Sequence, residues 1–202
     1  MALTSYSDFV TVVQNYLART DLSNQIPDFI RFAQDRITRD LRVRQMLKLA
    51  STTTTDGTVE LPTDFLEMRE MHFQGNPLAT LEYQSPDKFF RNGLTETSGD
   101  PFYYTIIGEN FQFAPTPTGS RALQMLYYSK PVYISSTQAS NIYLVSYPDA
   151  MLYATLAEAE PYLMNDNRTQ TWAAMYDRAI ANIMKNDDGS KYPNTALNVT
   201  VG

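Results

Sequence analysis

The chain has 202 residues, 43% hydrophobic and 19% charged, with a net charge of −6 at neutral pH; this describes a folded protein with one good core or two small ones. It has no cysteine and a single histidine, His72, which excludes disulfides, thiolate catalysis and cysteine-based zinc sites and leaves no histidine cluster for a metal. The acidic balance argues against wrapping nucleic acid as a main task.

No apolar run reaches the roughly 18 residues that span a bilayer, and MALTSYSDFV lacks the basic start and apolar core of a signal peptide. Synthesis in a cytosol and no membrane partner are therefore expected.

In chain order, Ser5-Tyr6-Ser7-Asp8 can cap a first helix that carries Tyr6, Phe9, Val10, Val13, Tyr16 and Leu17 on one face. Pro27 suits the start of a second helix, expected to run to about Lys48, with an apolar stripe of Phe29, Ile30, Ala33, Ile37 and Leu41. From Ala50 the period changes. Asp56-Gly57 lies between β-branched runs and predicts a hairpin; Gly75-Asn76 and Gly108-Glu109-Asn110 predict two more. Ser85-Pro86-Asp87 can start a short helix through Phe90, and Arg121 to Ser129 reads as a further strand. Such short strands make a small antiparallel sandwich or barrel.

After a loop from Lys130 to about Asn141, Tyr147 to Ile183 reads as a helical pair, each member apolar on one side. Pro161 should kink or end the first, and Asn167 with Gln170 resembles a capping box for the second. The expected fold is α+β: a four-helix frame from both chain ends with the small antiparallel sandwich or barrel inserted. The expected division is residues 1–49 with 142–186 helical, 50–141 β, and 187–202 an extended tail.

The candidate sites are sparse. Arg31, Arg36, Arg39, Arg42, Arg44 and Lys48 form a basic run. Phosphate contact is one reading. The other is ion pairing or subunit contact, since Asp35 precedes Arg39, and Asp40 precedes Arg44, by one helical turn. Glu158 and Glu160 point to different sides of a helix and cannot face each other across a cleft; Glu96 and Asp100 lie elsewhere. Asn165-Asp166-Asn167 and Asp187-Asp188-Gly189 lack the alternation and distal Glu of a calcium loop. There is no phosphate loop, nucleophile elbow or HExxH motif, so neither catalysis nor a cofactor is expected. Tyr103, Tyr104, Phe111, Phe113, Tyr127 and Tyr128 suit cross-strand packing and interfaces, or stacking on sugars or bases.

Four segments occur in an order that resembles the head-to-tail adaptor, or connector, proteins of tailed phages: IPDFIRFAQDRITRDLR from Ile26, LPTDFLEMREMHFQGNPLATLEYQSPDKF from Leu61, GDPFYYTIIGENFQFAPTP from Gly99, and PDAMLYATLAEAEPYL followed by W-x-x-x-Y-x-x-A-I. The resemblance implies a structural virion protein at the head–tail junction, without enzymatic activity. It implies a homo-oligomeric ring of about twelve copies under the portal, which extends the DNA channel without gripping DNA and docks a tail or nozzle protein. The alternatives are a tail-tube or tail-completion subunit and a carbohydrate-binding tail module. Terminal segments of connector subunits embrace portals or neighbours, which turns attention to Tyr192 and to the alternating Leu197, Val199 and Val201. With Arg36 and Arg39 these are the candidate portal or subunit interface.

Overall fold

A computed structural model describes residues 4–75, 79–91, 95, 97–164 and 166–191. The chain divides into two compact units at Gln45/Met46 and at Lys130/Pro131, one formed by both chain ends and one by the middle.

In the first unit, helix α1 (Tyr6–Leu17) starts where Ser5 accepts the Asp8 amide at 3.2 Å while its hydroxyl donates to the Asp8 carboxylate at 2.7 Å. That reciprocal pair satisfies an orphan donor of the first turn and sets an acid at the positive helix end. Phe9, Val13 and Leu17, one turn apart, form its buried stripe. Helix α2 (Ile26–Asp40) has Pro27 in its first turn and buries Ile26, Phe29, Ile30, Ala33 and Ile37. It stops eight residues before the expected Lys48. Leu41 turns extended (φ −107°, ψ 131°) and is fully buried, as is Val43 two residues on. Burial at alternate positions demands extended chain. The Arg42 guanidinium donates to the carbonyls of Thr38 and Leu41 at 2.6 and 2.8 Å, and so closes the helix end.

A five-residue helix α4 (Ile142–Ser146), capped by Asn141, leads into α5 (Pro148–Ala159) and α6 (Asp166–Lys191). Helix α5 is the centre of this unit, in contact with α1, α2, α4 and α6. It is not apolar on one side only: Ala150, Met151, Leu152, Ala154, Thr155, Leu156, Ala157 and Ala159 are all buried. A helix apolar all round belongs inside, and its alanines let neighbouring backbones approach. Each fully buried Met or Leu contributes about 1.5–3 kcal/mol. Helix α5 ends just before Pro161, where the missing amide hydrogen would interrupt the ladder. Helix α6 continues to Lys191, through residues expected to be tail. Asp187 is buried and accepts the Arg44 backbone amide at 3.1 Å, with the Arg44 guanidinium 3.7 Å away, which holds that last stretch against the unit.

The second unit contains β1 (Leu47–Thr54), β2 (Thr58–Glu60), β3 (Phe65–Phe73), β4 (Ala79–Thr80), β5 (Glu82–Tyr83), α3 (Pro86–Arg91), β6 (Ser98–Gly99), β7 (Tyr103–Ile107), β8 (Asn110–Ala114), β9 (Thr116–Pro117) and β10 (Arg121–Ser129). One sheet has the order β1-β10-β3-β4 and a second β2-β8-β7-β5. Pairing is antiparallel except for β5 with β7 and the small β6–β9 pair, which are parallel. Neither sheet closes on itself among the described residues, so the barrel alternative is not what forms. Met71, Phe73, Tyr104, Phe111, Phe113, Leu123, Met125 and Tyr127 make a common core from both sheets, with edge-to-face contacts of Phe65 on Phe111 (5.5 Å) and Phe73 on Phe113 (5.3 Å).

Two of the three expected hairpins form: β7–β8 pairs Ile107 with Asn110, and β3–β4 pairs Phe73 with Ala79. The Asp56-Gly57 hairpin does not. There β1 goes to β10 and β2 to β8, in different sheets. Strand β10 pairs all eight residues of β1, a longer ladder than the three residues of β2 could supply. The turn instead passes the chain between sheets, with Gly57 at φ +80° accepting the Phe113 amide at 2.9 Å.

Candidate functional site

Most of the basic run is engaged inside its own unit. Arg36 reaches Glu158 of α5 at 3.5 Å and lies 4.4 Å above the Tyr176 ring of α6. Tyr176 in turn donates to Asp40 at 2.7 Å; burial first, and the facing carboxylate second, push its hydroxyl pKa far up. The expected Asp40–Arg44 pair along one helix does not form, because α2 ends at Asp40 and Arg44 turns to Asp187. In the β unit Lys48 bonds Asp64 at 2.5 Å. Arg31 and Arg39 are exposed on α2.

The carboxylates expected to diverge do so. Glu158 meets Arg36, whereas Glu160 is fully buried, accepts the indole N–H of Trp172 at 3.1 Å and faces Arg168 at 3.4 Å. Trp172 is stacked on Tyr153 at 6.1 Å and meets Tyr16 edge-on at 6.2 Å. This knot joins α1, α5 and α6 at one end of the helical unit. The sequence did not mark Glu160 as the acceptor for Trp172; a charged residue immediately before the helix-ending Pro161 was the available signal. The geometry is that of a fastener: the indole N–H and the Arg168 guanidinium both meet Glu160 Oε1.

A cavity of about 330 Å³ opens beside α6, lined by Arg44, Gln45, Tyr147, Asp149, Asn182 and Asp187 among others. Its polar groups serve one another: Tyr147 donates to Gln45, and Arg44 pairs with Asp187. Among the described residues no group of His, Asp or Glu has the arrangement of a metal site. His72 bonds Gln124 across β3 and β10 at 3.0 Å, and Asp100 pairs with Arg121. Asp187-Asp188-Gly189 is helical. Tyr192, Leu197, Val199 and Val201, like Glu96 and Asn165, lie outside the described residues.

In the β unit, Tyr104, Phe111, Phe113, Tyr127 and Tyr128 are buried. The exposed aromatics are different ones: Tyr83, Phe90 and Phe102. Each leans on an inner neighbour, Tyr83 on Tyr104 (5.5 Å), Phe90 on Phe89 (5.6 Å) and Phe102 on Tyr103 (4.7 Å). In the helical unit Phe32, Tyr162 and Met164 are likewise exposed, and Tyr162 lies against buried Phe29 at 5.5 Å. Large apolar side chains left in solvent in both units suit a protein that docks to others.

No helix among the described residues is long and apolar enough to cross a membrane. The family model described as SU10 adaptor protein matches residues 4–199. No curated protein matches the chain. The match covers nearly the whole length, and the chain belongs to the SU10 adaptor protein family, whose members are structural head-to-tail adaptors of phages.

Proposed function

We propose that the protein forms a ring of about twelve copies beneath the portal, extends the DNA channel and docks the tail or nozzle. The observation that carries this reading is the family match over residues 4–199. The ring contact is heterologous, each copy offering one face and receiving another. DNA passes without specific binding: Arg36, Arg44 and Lys48 spend their charge on Glu158, Asp187 and Asp64, which leaves fewer cations of the α2 region to hold phosphates.

The portal or subunit contact uses Arg36 and Arg39 of α2 together with the segment carrying Tyr192, Leu197, Val199 and Val201. Residues 187–191, expected in the tail, belong instead to α6, so the proposed contact begins beyond Lys191. Truncation after Lys191 tests this. The helical signal and thermal transition should survive while co-sedimentation with the portal is lost; undiminished portal binding would refute the role of the segment.

A further inference from the structure

The two sheets of the β unit treat their edges differently. The second ends in β2 and β5, three and two residues long, and short edge strands deter foreign pairing. The first ends in β1, eight residues long and, among the described residues, paired with β10 alone. It contains no proline. Its one charge, Lys48, is held by Asp64. On the opposite side, β4 covers β3 at His72 and Phe73 and the Leu81 amide donates to the Met71 carbonyl at 2.9 Å, so Phe65 to Glu70 has no paired strand on that side among the described residues.

We infer that the β1 edge of one copy pairs with the β3 edge of the next, continuing the sheet between subunits. Both β1 and β3 are antiparallel to β10, so they run parallel to each other. Copies related by rotation about an axis along the strands then bring β1 to β3 in parallel. Self-pairing of β1 with β1 would be antiparallel and isologous and would stop at a dimer. The β1–β3 contact is heterologous, so it repeats. It rests on the proposed ring only for its closure and copy number.

The register supplies a specific test. Leu49 and Glu70 both pair with Leu126, from its two sides. They share the face opposite Met125, and both are exposed. Within one chain they are two strand spacings apart, about 9.5 Å, beyond the roughly 7 Å that a disulfide bridges. Across the proposed contact they are neighbours. The chain has no cysteine of its own.

The Leu49→Cys/Glu70→Cys double variant, oxidised after assembly with its portal, should give a ladder of covalent multimers on a denaturing gel, which neither single variant gives. Ser51→Lys, on the exposed face of β1, should keep the monomer's circular dichroism and weaken assembly at least tenfold. Covalent dimers from Leu49→Cys alone would overturn the inference in favour of β1 self-pairing. Rings that form normally but yield no ladder would overturn it and leave the adaptor reading intact. If the wild-type chain assembles no ring with its portal, the adaptor reading fails, and the edge contact with it.

Discussion

Gln34 grips Ile134 from both sides of its amide group: its Oε1 accepts the Ile134 N–H at 2.8 Å and its Nε2 donates to the Ile134 carbonyl at 3.4 Å. The same Oε1 takes the Asn141 side-chain amide at 3.0 Å. Both Gln34 and Ile134 are buried. The chain between Pro131 and Asn141 has no regular structure, so its buried backbone groups need side-chain partners, and a side-chain amide on α2 supplies them. Replacing Gln34 with leucine should cost about 1–3 kcal/mol in urea denaturation, the range for leaving buried polar groups unpaired. Hydrogen exchange at the Ile134 amide should accelerate in the same variant. Unchanged protection there would show that the grip does not order the loop.

The next turn of α2 continues the seam. Tyr143 donates to Thr38 at 3.0 Å, Thr38 donates to the Gln34 carbonyl at 2.7 Å, and Tyr133 donates to Asp35 at 2.7 Å. Burial pushes both tyrosine hydroxyls up to about 12, helped at Tyr133 by Asp35. A raised folded pKa means stability that is whole below the unfolded value of about 10 and is lost as pH rises from there toward 12. Alkaline unfolding monitored by circular dichroism should therefore begin above pH ~10 and move upward in the Tyr133→Phe/Tyr143→Phe double variant, even if that variant is less stable at neutral pH. An unmoved alkaline midpoint would contradict this.

Acid should act through Asp64. Partial burial raises its pKa, but the hydrogen bonds from Lys48 (2.5 Å) and Tyr127 (2.8 Å) outweigh that and hold the carboxyl below the usual range. A depressed folded pKa gives stability that is present above the ordinary carboxylate value, near 3.9, and is lost as pH falls through the folded one. Asp64→Asn should lower stability at pH 7 and flatten its decline below pH ~4. An equal acid slope in both proteins would rule Asp64 out as a contributor.

Trp172 is the chain's one tryptophan and the hydrogen-bond donor to a fully buried carboxylate. Trp172→Phe keeps most of the stacking and removes the donor. It should cost about 1–3 kcal/mol by thermal denaturation, the range for stranding a buried acceptor. Glu160→Gln retains an acceptor for the indole and should shift tryptophan emission by less than Glu160→Ala does. A larger shift from the glutamine variant would contradict the assigned bond.

Gly57 has φ +80°, and a Cβ there would lie 3.2 Å from the Thr116 methyl. Gly57→Ala should destabilise the β unit by about 1–2 kcal/mol, the usual cost of a left-handed L-residue. Gly108→Ala has a similar φ, +60°, and open space around it, so it should cost less; the reverse order in urea midpoints would contradict the packing at Gly57.

Local chemistry was legible. Ser5 and Asp8 announced the start of α1, Pro27 that of α2, Pro161 the end of α5, and Gly108 the β7–β8 turn. Long-range competition was not. Asp56-Gly57 is a hairpin signal that lost to the eight-residue ladder on β10, and the end of α2 depended on burial of Leu41 and Val43, which no local period reveals. The same limit applies to the candidate site. The arginines were visible, but Glu158, Asp187 and Tyr176, which engage them, come from helices more than a hundred residues away. Gln34, which holds Ile134 by both backbone groups, carries no local signal of that role.

The mass of the purified protein with and without its phage's portal, by native mass spectrometry, tests the central claim most directly. The account predicts a ring, or a portal-dependent shift to about twelve bound copies. A monomer whose mass the portal leaves unchanged would contradict it.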